Sequence, residues 1–156
     1  MGPIKQAAKG GYVYVSKFTD DFTRMKAIFL IKSKDQAVDS LRLYSQTVAA
    51  PLGLRIQRVR ADKGTEYTSC AFQRFCNDSG IVLEFAATAT PQQVGLSERD
   101  GRTIDTIARC VLKDSNFPPK LWDEKFFAAV YISNRSPHAA LHNATPYSRC
   151  KARKQT

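Results

Sequence analysis

The chain has 156 residues, of which 43% are hydrophobic and 10% aromatic, a composition that indicates one globular domain and excludes intrinsic disorder. Its 24 basic and 14 acidic side chains give a net charge of +10, which favours a polyanionic partner over a charge that serves solubility alone. The sequence has no run of about 18 apolar residues, no secretory signal at its start and no CxxC spacing among its 4 cysteines, so we expect a nuclear or cytoplasmic protein with reduced thiols.

Two β-rich segments near the N-terminus predict a hairpin. Residues 12–18 (YVYVSKF) and 25–31 (MKAIFLI) are rich in β-branched and aromatic side chains, and the polar segment TDDFTR joins them. Asp20 and Asp21 in this connection have two interpretations, a metal site or turn residues that bond to nearby backbone groups. We favour the turn.

A helix follows the hairpin. Ser33 and Gln36 match a capping box that opens it, and Pro51 and Gly53 end it. One face of this helix carries apolar residues at the spacing that packs on a sheet. These residues are Ala37, Leu41, Tyr44 and Val48.

Two short strands enclose the next helix. Residues 54–61 (LRIQRVRA) predict a strand in spite of three arginines, and residues 81–85 predict another. Between them, Thr68 or Ser69 caps a helix that runs through Asn77. Its inward residues would be Phe72, Phe75 and Cys76.

The second half of the sequence is predominantly helical. Residues 86–96 (AATATPQQVGL) predict a loop that can close over a substrate, and a helix follows from Ser97 to about Asp114. A last helix runs from about Pro119 to Asn134, and residues 149–156 are a basic tail. The expected buried positions of the two helices are Ile104, Ile107, Ala108 and Val111, then Trp122, Phe126, Val130 and either Ile132 or Ser133.

Two acids lie where chemistry is possible. Asp62 follows the strand that ends at Ala61, and Glu98 opens a helix after 35 intervening residues. Two carboxylates at a strand end and a helix start can share divalent cations, because hard cations take oxygen ligands. The alternative for Glu98 is a first-turn acid that is favoured by the helix dipole and pairs with Arg102. Periodicity alone favours that alternative.

The segments around these acids carry a family resemblance. VRADKGTEYTS at 59–69 and TPQQVGLSERDGRT at 90–103 closely resemble the integrase core of copia-type retrotransposons. The resemblance continues in GGYVYVSKFTDDFTR, NFPPKLW and AVYISNRSPHAALHNATPY, so it covers nearly the whole chain. This family belongs to the DDE polynucleotidyl transferases. It implies an α/β, ribonuclease H-like fold with a mixed sheet flanked by helices.

The resemblance also implies a catalytic site. Three carboxylates of the family hold two Mg²⁺ or Mn²⁺ ions, which serve an in-line displacement at phosphorus. By motif, Asp62 and Glu98 would be catalytic and metal-binding residues. Gly2-Pro3 matches a Gly-Pro pair that follows the family's first Asp, so that Asp and its central strand would lie upstream of Met1. We therefore expect residues 1–148 to be a partial catalytic core that is inactive by itself and marginally stable, with two exposed strand edges.

DNA is the partner that the resemblance implies, as retroelement ends and as target, with a homo-oligomer in the full-length protein. The predicted backbone contacts surround the two acids and would not read bases. They are Lys63, Gln92, Gln93, Arg99 and Arg102. Two alternatives stay open: a non-catalytic nucleic-acid-binding remnant, and a nuclease of the ribonuclease H type, which the TPQQ and SPHAAL segments disfavour.

Overall fold

The computed structural model describes residues 3–4, 7–8, 10–62, 64–85, 102–111 and 121–153. Strands and helices alternate along its first half, and helices follow in its second half. In chain order the elements are β1 (Tyr14–Thr19), β2 (Lys26–Ile31), α1 (Ala37–Tyr44), β3 (Arg58–Ala61), α2 (Thr65–Thr68), α3 (Cys70–Asp78), β4 (Val82–Phe85), α4 (described over 102–111), α5 (Trp122–Arg135) and α6 (Pro146–Arg153).

The four strands form two separate pairs. β1 and β2 are antiparallel, β3 and β4 are parallel, and no strand within the described ranges joins the two pairs. A mixed sheet contains both kinds of pairing, so the two pairs agree with the predicted mixed sheet. The predicted absence of its central strand stays a prediction.

The hairpin turn confirms the structural interpretation of its two acids. Oδ2 of Asp20 accepts hydrogen bonds from the backbone N–H and the hydroxyl of Thr23, at 2.8 and 2.6 Å. Asp21 forms an ion pair of 2.8 Å with Arg24, whose φ of 59° lies in the left-handed region. Asp20 and Asp21 are therefore turn residues that hold a tight connection.

The helix after the hairpin begins differently from the prediction. A 3-10 turn (Lys34–Gln36) precedes α1, and the side chain of Ser33 makes no capping hydrogen bond. Oε1 of Gln36 instead accepts from the N–H of Lys32 at 2.8 Å. The predicted capping box is wrong, because Gln36 satisfies a backbone donor one residue earlier than the box requires.

The same helix also ends irregularly. A π-helical turn (Ser45–Ala49) follows α1, and a 3-10 turn (Ala50–Leu52) leads to Gly53 at φ 70°. A π turn inserts residues relative to α-helical spacing and so rotates the inward positions. Ala49 is therefore buried, whereas Val48, predicted to face the core, is half-buried.

β3 is four residues shorter at its start than the predicted segment 54–61. Its partner β4 has only four residues, and each of them pairs with one residue of β3. Residues 54–57 therefore have no residue of β4 opposite them. Ile81, before β4, turns inward, and its N–H bonds to the carbonyl of Cys76 at 2.8 Å. The arginines Arg58 and Arg60 lie on the exposed face and form ion pairs with Glu84, at 3.1 and 3.4 Å.

The predicted helix through Asn77 is confirmed as α3. Ser69 is its N-cap, and its hydroxyl accepts from the N–H of Phe72 at 3.3 Å. Phe72 and Cys76 are fully buried, as expected from their spacing. Gly80 follows the helix at φ 67°, a left-handed conformation that favours glycine.

The hairpin lies between two hydrophobic clusters. One face, with Val15 and Ile28, packs against α4 and α5, where the predicted inward residues Ile104, Trp122 and others are buried. The opposite face packs against α1 and α3, in a second cluster around Leu41 and Phe72. On that second face the hydroxyls of Ser16 and Ser40 form a buried hydrogen bond of 2.8 Å. The strands are therefore covered by helices on both sides.

The C-terminal helices settle two finer expectations. In α5, Ser133 is buried and Ile132 is 41% exposed, so Ser133 is the inward residue of the two. Residues 149–153 of the predicted tail lie in α6, which begins where the hydroxyl of Thr145 accepts from the N–H of Ser148 at 3.1 Å. The division of the chain at residue 148 stays a prediction.

Candidate active site

Asp62 lies at the carboxyl end of β3, directly before the first turn of α2. Its side chain is exposed, and Oδ1 accepts a hydrogen bond from the N–H of Gly64 at 3.2 Å. The residue thus stands at the strand end that the sequence predicts, with one oxygen held by the backbone and the carboxylate open to solvent.

Glu66 is an acid that the sequence analysis missed. It belongs to α2, and its Oε2 is buried with no hydrogen bond among the described residues. Nζ of Lys34 lies 3.8 Å away, which is an ion pair but too long for a hydrogen bond. The signal that could have found Glu66 is its position four residues after Asp62, with a glycine between them.

Gly64 allows the two carboxylates to approach each other. A Cβ placed on Gly64 would lie 2.8 Å from Oε2 of Glu66 and 3.0 Å from Oδ1 of Asp62. The two oxygens are therefore no more than about 6 Å apart, on either side of the space that a larger side chain would fill. The missing side chain at Gly64 leaves that space open.

A small cavity adjoins Glu66, one of the two acids. It has a volume of about 190 Å³ and lies between the start of β1, the turn before α1 and α2. Glu66, Lys34 and Tyr67 contribute its polar groups, and Val15, Ile31 and Ala37 contribute apolar surface. An acid and a base therefore face one cavity at the end of the hairpin opposite to its turn.

The pKa of Tyr67 shows the influence of the two acids. Burial and, to a smaller extent, the negative charges of Glu66 and Asp62 together raise this pKa from 10.0 to about 12. The phenol therefore stays neutral across the physiological range. Tyr67 can report on these carboxylates, because any change that removes their charge lowers its pKa.

The donor set fits a hard divalent cation. Two carboxylates stand close together, and one buried oxygen has no hydrogen-bond partner among the described residues, a role that a bound cation would fill. No three His, Cys, Asp or Glu side chains converge within the ranges that the structure describes. The predicted residues Glu98, Lys63, Gln92, Gln93 and Arg99 lie outside those ranges. Arg102 is exposed at the first described position of α4.

The sequence resembles integrase proteins of transposons. A family model described as "Integrase core domain" matches residues 1–91. The Pol polyprotein of transposon TNT 1-94 from Nicotiana tabacum is 35% identical over 140 residues, which cover 90% of this chain and 10% of that protein. The Pol polyprotein of transposon RE2 from Arabidopsis thaliana is 29% identical over 138 residues, or 88% of this chain and 9% of that protein. The chain thus spans about a tenth of the length of these relatives.

Solved structures of viral integrases share the fold. The simian T-cell lymphotropic virus intasome in complex with PP2A regulatory subunit B56 gamma matches with a TM-score of 0.71 at 21% identity, over 87% of this chain and 47% of that one. The trimeric HTLV-2 integrase catalytic core in complex with magnesium matches with a TM-score of 0.66 at 19% identity, over 92% and 89%. The α/β, ribonuclease H-like fold implied by the sequence is therefore confirmed. None of the described helices is long and apolar enough to span a membrane.

Proposed function

We propose that this chain, which belongs to the integrase core domain family, forms part of a retrotransposon integrase core that joins DNA ends to target DNA by metal-dependent strand transfer. The observation that carries the proposal is the pair of carboxylates around Gly64, Asp62 at the end of β3 and Glu66 in α2. Hard cations and phosphate bind at such an oxygen-rich strand end.

Asp62 and Glu98 are the proposed metal ligands. Bound Mg²⁺ or Mn²⁺ supplies activation of a hydroxyl nucleophile and stabilisation of the leaving oxygen. Asp62 presents an exposed carboxylate that the N–H of Gly64 orients at 3.2 Å. Glu66 adds negative charge beside Asp62. The ammonium group of Lys34, 3.8 Å from Oε2 of Glu66, partly neutralises that charge. Tyr67 lies near both acids as a largely buried, neutral phenol.

The proposed substrates are the ends of the retroelement and a target DNA. Lys63, Gln92, Gln93, Arg99 and Arg102 are the proposed contacts to the DNA backbone, and the net charge of +10 supports a polyanionic substrate. The related HTLV-2 core occurs as a dimer and as a trimer, which supports a homo-oligomeric full-length protein here as well.

The third carboxylate of the proposed site would come from a strand between β1 and β3. The two strand pairs are separate in the described part of the chain, and a strand between them would join both into one sheet. Without that third carboxylate, Asp62 and Glu98 would bind metal weakly and support no strand transfer.

The test compares the chain with a version extended at its N-terminus by the preceding segment of the tobacco relative's polyprotein. Strand transfer is measured with labelled element-end oligonucleotides and a plasmid target in Mg²⁺ and in Mn²⁺. We expect joined products from the extended protein and none after Glu98→Gln. Salt-sensitive DNA binding without products in every version would support the non-catalytic remnant and reject the enzyme.

A further inference from the structure

Aromatic side chains and cations alternate on the outer side of α5 and α6. Cζ of Arg135 lies 3.6 Å from the centre of the Tyr131 ring and 4.4 Å from that of Tyr147. Nζ of Lys151 also lies over the Tyr147 ring, 4.9 Å from its centre. Tyr131 is 59% exposed, so this row of side chains faces solvent.

A second row lies across α6, at the turn of the hairpin. Arg149 and Arg153 are one helical turn apart, and their guanidinium carbons lie 5.9 and 5.2 Å from the centre of the Phe22 ring. Phe22 is 61% exposed, whereas most phenylalanine side chains are buried in a hydrophobic core. The two rows thus border α6 on both sides.

Basic side chains outnumber acids on this surface, where Asp20 and Asp21 precede Phe22 in the hairpin turn. Arg153 approaches Asp20 at 3.7 Å, whereas Arg135, Arg149 and Lys151 have no carboxylate partner in the described part of the chain. α6 itself carries no acid in its sequence PYSRCKAR. A guanidinium that stacks by its face keeps its N–H edges free for phosphate oxygens.

The surface is remote from the candidate active site. The cavity beside Glu66 lies at the Tyr14 end of β1, and Phe22 lies in the turn beyond its other end. A strand of 6 residues separates them by about 17 Å at roughly 3.3 Å per residue. DNA bound at this surface would therefore contact the chain away from Asp62.

We propose that Arg135, Arg149, Lys151 and Arg153, with the rings on which they stack, bind the phosphate backbone of duplex DNA. We call these four cations and three rings the α6 surface. Charge complementarity selects this partner. A two-fold contact between copies through the same surface would instead bring like charges together. The proposal does not depend on the chemistry at Asp62.

The test measures binding of a fluorescent 30-base-pair duplex to the full 156-residue chain in EDTA, at several NaCl concentrations. The test variant is Arg135→Gln/Arg149→Gln/Lys151→Gln. The matched control, Arg42→Gln/Arg55→Gln/Arg74→Gln, removes the same charge from exposed arginines elsewhere. We expect the test variant to lose at least about 10-fold in affinity at 0.1 M salt, and its log–log salt slope to fall by about 2 to 3. The control should lose less than about 3-fold.

Further variants separate charge from folding and from self-association. Arg135→Lys/Arg149→Lys keeps the charge and should restore most of the affinity. Asp78→Asn, which alters an exposed acid at the end of α3, should leave the affinity unchanged. Equal losses in the test and control variants would overturn the proposal, because binding would then follow net charge alone. Intact DNA binding combined with a smaller mass in light scattering would also overturn it, and would assign the surface to contacts between copies. Absence of DNA binding by the unaltered chain would reject it as well.

Discussion

The two ends of the hairpin carry opposite charge in opposite settings. At the Tyr14 end, Glu66 and Asp62 approach each other, and one of their oxygens is buried with no hydrogen bond from the part of the chain that the structure describes. At the Phe22 end, the guanidinium groups of Arg149 and Arg153 lie over an exposed ring. Like charges in a partly buried site repel and lose solvation, so the acidic end gains stability from a cation. The basic end is stable without a ligand, and its affinity for one depends on salt.

The largest expected effect is the loss of strand transfer on substitution of Asp62, at the acidic end of the hairpin. In the extended protein that tests the proposed function, Asp62→Asn should reduce strand transfer at least 1,000-fold, or by about 4 kcal/mol, because it removes a ligand charge. DNA affinity in EDTA should not change. Asp78→Asn, which alters an exposed acid at the end of α3, is the control for charge. Strand transfer retained within 10-fold by Asp62→Asn would remove this residue from the active site.

Asn134 connects the basic end to the hairpin. Its Oδ1 accepts from the N–H of Lys26 at 2.9 Å, and its Nδ2 donates to the carbonyl of the same residue at 2.8 Å. Asn134→Ala leaves both buried backbone groups without these bonds, so unfolding in urea should show a loss of about 2–4 kcal/mol. Asn77→Ala, at an exposed site, should cost less than about 1 kcal/mol. Equal values for the two variants would show that α5 does not depend on this contact.

High pH should destabilise the protein through two tyrosines. The pKa values of Tyr67 and Tyr44 rise from 10.0 to about 12, chiefly because both phenols are buried. Below pH 10 the folded and unfolded states hold these protons equally. Between pH 10 and 12 the unfolded state loses them first, so the free energy of unfolding falls by about 1–2 kcal/mol per tyrosine. Tyr67→Phe should remove part of this fall in urea titrations, and Tyr131→Phe, at an exposed ring, should not.

The smallest expected effect concerns Glu66. Glu66→Gln removes one charge beside Asp62, so the affinity for Mn²⁺ measured by electron paramagnetic resonance should fall about 10-fold. The pKa of Tyr67 in an alkaline absorbance titration should fall below 12, because one of the charges that raise it is gone. Glu124→Gln, on an exposed face of α5, should change neither quantity. An unchanged pKa of Tyr67 in this variant would mean that the charge of Glu66 does not act on the Tyr67 phenol.

Local patterns predicted the elements that depend on periodicity. The hairpin, the inward face of α3 and the buried residues of α5 follow from alternation and helical spacing, and the structure confirms them. The strand predicted over residues 54–61 placed Asp62 at a strand end, where the structure has it. These features require information from a few neighbouring residues only.

Two of the missed features, Glu66 and the π turn, depend on contacts between distant parts of the chain or on backbone irregularity. Glu66 has a buried oxygen and forms an ion pair with Lys34, which lies 32 positions earlier in the sequence. A local sequence pattern predicts neither the burial nor the ion pair. The π turn after α1 shifts burial from Val48 to Ala49, a shift that a regular 3.6-residue period cannot predict. The extent of α6 was encoded locally, since Thr145-Pro146 is a helix-start signal, but the basic composition of residues 149–156 masked it.

The buried hydroxyl pair Ser16–Ser40 lies in the contact between the hairpin and α1. The cluster around Leu41 and Phe72 and the cluster around Trp122 and Ile104 are separate cores that meet at the hairpin. The two cores are linked by a buried polar contact and by two strand pairs that no described strand joins. Such a contact couples the unfolding of the two cores only weakly. The two cores should consequently melt as separate units, with amide protons of α3 and of α5 exchanging at different free energies. A strand inserted between the pairs would merge the two transitions into one.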